Sequence, residues 1–119
     1  MDKFDGKIGE EIALQYLLER GMALRERNWR VGHLEVDLIM EDEASVRIVE
    51  VRSLRGGERV LPKDTVMRQK QRFLTKAASA YASRYKIRKD IYFDIVSIVV
   101  KGDKYELEYI PEAFYPICL

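Results

Sequence analysis

Asp37, Glu50 and Arg52 lie inside two neighbouring apolar runs, Leu34-Glu-Val-Asp-Leu-Ile-Met40 and Val46-Arg-Ile-Val-Glu-Val-Arg52. Charges within strand-like segments are costly to bury unless they are paired or bind a metal. Carboxylates held a few ångströms apart repel one another unless a cation intervenes. Hard divalent ions such as Mg²⁺ take oxygen ligands from one or two carboxylates plus substrate phosphate. An ion bound there could activate a water and stabilise the charge that develops in phosphodiester cleavage. The same residues also read as cross-strand ion pairs on a solvated sheet face, and the spacing alone leaves both readings open.

Two further charged side chains could join this group. Glu10 precedes Ala13, Leu14 and Leu17 by three, four and seven residues, so it heads part of a helical apolar surface and can point toward a sheet. Its other use is to complement the helix dipole in an early turn. Lys70 stands one turn before Phe73 and Leu74, where it either reaches the acidic group or snorkels past Phe73 to water. His33, the single histidine, follows Gly32 in a turn and reads as a loop residue. Trp29, Tyr92 and Phe93 read as core rather than as base-stacking platforms.

The elements that must position these residues follow from hydrophobic spacing. Phe4 to Arg20 reads as a helix, with Ile8, Ile12 and Tyr16 at helical intervals beside Ala13, Leu14 and Leu17, and with Gly21 as its stop. Strands are expected over Met22 to Val31, 34 to 40 and 46 to 54, the last two joined by an exposed turn at 41 to 44. Gly56-Gly57 breaks the chain. Pro62 opens a long helix to about Tyr85 with a stripe of Val66, Phe73, Leu74, Ala77, Ala78 and Tyr81. Strands from Ile91 to Val100 and Lys104 to Ile110 end the chain, turning at Gly102-Asp103. The order α-β-β-β-α-β-β describes an α/β protein with a mixed five-stranded sheet flanked by helices.

Alternation puts Glu35 and Asp37 on one side with Ile39, and Glu50 and Arg52 on one side with Val46 and Ile48. A hairpin centred on Asp42-Glu43 would set Asp37 opposite Ile48 and Glu35 opposite Glu50, all on a common face. A slip of one residue would separate them.

At 119 residues, 47% of them hydrophobic, the chain suits one domain over 1–119 with a single real core. No run approaches the roughly 20 apolar residues of a membrane helix, and the N-terminus lacks the pattern of a secretory signal, so a soluble cytoplasmic protein is expected. Cys118 is the single cysteine and can form no internal disulfide. The net charge is only +1, but Lys63 to Lys89 holds nine basic residues against one acid, leaving 12 basic and 19 acidic residues elsewhere. Such asymmetry attracts phosphate backbones, unless the segment is simply a solvated helix face.

Taken in order, Gly6-x-x-Gly9-Glu10-x-x-Ala13 with Tyr16-Leu17, Asn28-Trp29-Arg30, Glu35-Val36-Asp37-Leu38-Ile39, Val49-Glu50-Val51-Arg52, Lys70 before Ala77-Ala78, Phe93-Asp94-Ile95-Val96 and Ala113-Phe114 resemble the YraN-like family of bacterial proteins. That family is similar in fold to restriction endonucleases and archaeal Holliday-junction resolvases. The resemblance implies the PD-(D/E)xK nuclease scheme, in which Glu10, Asp37 and Glu50 are the carboxylates of a Mg²⁺ (or Mn²⁺) site and DNA rather than RNA is the partner, in branched or damaged form. Two departures stand out: Leu34 precedes Glu35 where the family has glycine, and Arg52 replaces a lysine. Lysine can help deprotonate an attacking water, whereas arginine stays protonated and offers charge and hydrogen bonds. Arg52 would then steady the scissile phosphate, with Lys70 supplying the lysine function. The alternative is a nucleic-acid-binding module of the same fold without turnover. A third reading is a partner-binding protein using the aromatic tail Phe114-Tyr115-Pro116.

Overall fold

The computed structural model describes residues 6–55 and 68–116. Its elements are α1 (Gly6–Glu19), β1 (Ala23–Val31), β2 (Leu34–Glu41), β3 (Ser45–Arg55), α2 (Arg68–Tyr85), β4 (Asp90–Lys101) and β5 (Lys104–Phe114). The expected α-β-β-β-α-β-β order is the observed one. The expected break at Gly56-Gly57, the opening of the second helix at Pro62, Val66 and Cys118 lie outside the described residues.

One sheet holds all five strands in the order β1-β2-β3-β4-β5. Neighbours are antiparallel except β3 and β4, which pair in parallel from Ser45↔Asp90 to Arg55↔Val100. A parallel pair needs a long crossover, and the segment containing α2 supplies it. Each sheet face then receives one helix. On the α1 side Ala13, Leu14 and Leu17 pack with Leu38, Met40, Val49, Val96 and Ile98. On the α2 side Leu74, Ala77, Ala78 and Tyr81 pack with Trp29, Ile39, Val46, Ile48, Phe93 and Ile95. The alternation of apolar strand residues between two covered faces is what makes the central strands apolar on both sides.

Both helices end in the same way. Met22 N–H donates to Leu17 O and Gly21 N–H to Leu18 O, with Gly21 at φ 97°. Ile87 N–H donates to Ala82 O with Lys86 at φ 53°. Each is a left-handed cap whose following apolar residue, Met22 or Ile87, folds back onto its core. Lysine fills the second cap without the freedom that glycine gives the first.

Three expectations are corrected. Ile8 is exposed rather than part of the α1 contact surface, which is built on Gly9, Ala13, Leu14 and Leu17. Phe73 is also exposed, leaving Leu74, Ala77, Ala78 and Tyr81 as the buried α2 stripe. The β2–β3 hairpin is not centred on Asp42-Glu43: its ladder runs from Leu38↔Val49 to Glu41↔Val46, so the turn centres on Glu43-Ala44. Asp42 is the reason, because its Oδ1 accepts from Ala44 N–H, Ser45 N–H and Ser45 Oγ–H while its own N–H donates to Ser45 O. Every partner moves by two positions, so opposite residues change, and alternation breaks at Asp37, since Val36 packs on the α2 side and Leu38 on the α1 side.

Candidate functional site

The register change decides which acids meet. Glu35 is drawn away, facing Arg30 across β1–β2 and pairing with its Nε at 2.6 Å. Asp37 sits one step beyond the last paired residues, Leu38↔Val49, which sets it across from Glu50. There β2 and β3 stop pairing, and Asp37 Oδ2 accepts the Val51 N–H at 2.9 Å. A side chain thus satisfies a β3 donor at the point where the ladder ends.

Glu50 is the buried member of the group, only 5% exposed. The reading of Glu50 as an ion pair on a solvated face therefore fails. Burial pushes its carboxyl up to about 8, helped by the Asp37 charge and by a hydrogen bond shared with Asp37, and opposed by Lys70 and Arg52. Lys70 Nζ approaches Glu50 Oε2 at 3.6 Å from α2. Lys70 therefore reaches inward from the helix start, with its side chain still 41% exposed. Arg52 follows on β3, beside Ser97 of β4 in the parallel register. Ser97 is buried, and its Oγ has no hydrogen-bond partner among the described residues.

Glu10 approaches from α1. Gly9 makes this possible, since a Cβ there would collide with Ser53 Oγ of β3, so the helix lies close against the sheet. Glu10 Oε1 accepts from Asn28 Nδ2 at 2.8 Å, and Asn28 adopts φ 53° within β1. Asparagine tolerates that conformation better than other side-chain-bearing residues, and a strand interior seldom demands it. Partial burial raises the Glu10 carboxyl, Asp37 and Glu35 raise it further, and Arg27 and Asn28 act against them. Asp37 is therefore felt by both acids, Glu10 from the α1 side and Glu50 from the α2 side.

Among the described residues no three or more His, Cys, Asp or Glu side chains gather closely enough to hold a metal ion by themselves. The donor set is instead a pair, Asp37 and Glu50, with Glu10 near the first. A pair fits Mg²⁺ or Mn²⁺, which needs one or two carboxylates and completes its shell with water and phosphate.

Other expectations resolve simply. His33 is an exposed turn residue. Trp29 meets Tyr81 edge-on at 5.1 Å in the core, and Phe93 stacks on Phe114 at 5.1 Å, so half of the aromatic tail is committed to packing. Tyr92 is half-buried beneath the Arg47 guanidinium. Asn28 stands among the family motifs without a role, although an asparagine within a strand-like run is a signal. The buried Asp94, likewise in those motifs without a role, accepts from Arg47, Tyr109 Oη–H and Glu112 N–H. That carboxylate holds the β5 bulge near Pro111 and Glu112 and, being fully satisfied, reads as structural.

Fold and site together define an α/β protein with one helix on each face of its sheet and a buried glutamate, Glu50, beside the half-buried Asp37 where β2 leaves β3. The chain belongs to the Uncharacterised protein family UPF0102, whose model matches residues 9–98, in agreement with the resemblance drawn from its motifs. It is 38% identical to a UPF0102 protein of Bacteroides fragilis over 111 residues, covering 93% of this chain and 92% of the relative. A UPF0102 protein of Bacteroides thetaiotaomicron is 36% identical over the same shares. One of Dictyoglomus turgidum is 36% identical, covering 92% of this chain and 95% of the relative. No helix of the described residues is long and apolar enough to cross a membrane.

Proposed function

We propose that this protein is a divalent-metal-dependent nuclease acting on DNA, with Asp37 and Glu50 as the ligands of Mg²⁺ or Mn²⁺ and branched or damaged structures as substrates. The observation that carries this is the buried Glu50 beside Asp37, with the Lys70 ammonium 3.6 Å away. Burying an acid beside a second carboxylate costs stability unless something binds there, which is why such arrangements concentrate at functional sites. Bound at that pair, the ion would polarise the phosphate and lower the pKa of an attacking water. Glu10, fixed by Asn28, would accept a hydrogen bond from that water; Arg52 would bind the phosphate. Lys70 would supply the mobile ammonium that Arg52 cannot replace. The exposed cations of α2, Arg68, Arg72 and Lys76, would bind the phosphate backbone.

Purified protein incubated with nicked, flapped and four-way DNA in Mg²⁺ or Mn²⁺ should cut at least one substrate, and Asp37→Asn should abolish the cutting. Absence of any metal-dependent, Asp37-dependent product ends the enzyme reading. Binding without cutting, steeply weakened by salt, favours the binding module in which Arg52 has removed turnover.

A further inference from the structure

Phe73 was expected in the core stripe of α2, yet it is 41% exposed while Leu74, Ala77, Ala78 and Tyr81 are buried. A lone exposed apolar side chain is ordinary; the neighbours of this one are not. Phe73 follows Lys70 by three residues and precedes Lys76 by three, so all three share one side of the helix, with Arg72 alongside. Lys70 is the residue that reaches Glu50. An aromatic ring therefore stands about one helical turn from Lys70, the residue that reaches Glu50, and is bracketed by cations.

Rings that stack bases and cations that hold the backbone are the combination by which proteins bind single strands. In a continuous duplex the base faces are covered by one another, so an aromatic side chain on a convex helix has no base face to meet. We infer that Phe73 is a base-stacking platform beside the acidic site, and that the nucleic acid taken there carries an unpaired base next to the phosphate it presents, as a flap, gap or branch does. This rests on the reading that the site engages nucleic acid. The charge bracket favours a polyanionic occupant over an apolar peptide.

The test uses the full chain in EDTA, so that nothing is cut, with two labelled probes: a continuous duplex, and the same duplex bearing a flap with 2-aminopurine at the junction. Phe73→Ala should weaken flap binding roughly 5- to 150-fold and change the 2-aminopurine signal, while duplex binding moves less than about twofold. Phe73→Trp should restore both. Equal losses on the two probes, or none, with wild-type binding intact would remove the stacking platform and leave the nucleic-acid reading standing. Wild-type protein that binds neither probe, in EDTA or with Ca²⁺ in place of Mg²⁺, would remove both, and would turn attention to a protein partner for this helix face.

Discussion

Glu50 is where a single side chain should report on the whole fold. Its carboxyl titrates near 4.5 when unperturbed and near 8 in the native protein, because burial and Asp37 both disfavour its charge. Between those values the folded chain binds more protons than the unfolded one, so stability falls as pH rises from about 4.5 toward 8. Glu10 is shifted in the same direction and adds to the slope. In EDTA, the melting temperature of the wild type should therefore drop across that window. Glu50→Gln, which keeps the shape and removes the titration, should flatten most of the decline and exceed wild type at pH 8. Identical pH profiles for the two proteins would show that Glu50 is not the buried acid described above. The importance of Asp37 and Glu50 was legible as charges in apolar runs. The dependence of Glu10 on Asn28 was not, because a positive φ inside a strand has no periodicity to betray it.

At the scale of elements, the β2–β3 hairpin carries the most consequence, because its register chooses the partner of Glu50. Asp42 sets that register with three accepted hydrogen bonds. Asp42→Ala should destabilise the protein by ~1–2 kcal/mol in urea denaturation, with Glu43→Ala in the same turn within about 0.5 kcal/mol of wild type. A smaller effect at Asp42 than at Glu43 would mean that strand pairing alone specifies the turn. Element order and type were readable from spacing, and strand ends fell within a few residues except in β5. That strand runs on to Phe114 because Asp94 secures the bulge at Glu112, a contact from 18 residues away that no local pattern contains.

The described residues form two apolar layers on one sheet, sharing strands but not side chains. Leu17 and Leu74 are fully buried on opposite faces. Each, changed to alanine, should cost ~2–5 kcal/mol. The double variant should lose the sum to within about 0.5 kcal/mol, since neither touches the other's partners. A clear shortfall in chemical denaturation would indicate that the layers communicate through the sheet. Asp37 stands between these layers, and the acidic site draws on both: Glu10 comes with α1, Lys70 with α2.

The amino-acid sequence alone determined the succession of elements, the two-faced character of the central strands and the identity of the unusual charges, because periodicity and the cost of burying charge are local properties. Only the tertiary structure decided which charges meet. An Asp42 turn moved the register by two, Gly9 let α1 close on the sheet, and the end of the β2–β3 ladder opened a place for Asp37 between Glu10 and Glu50. These are contacts between segments distant in the chain, and their geometry is set by packing that spacing does not encode.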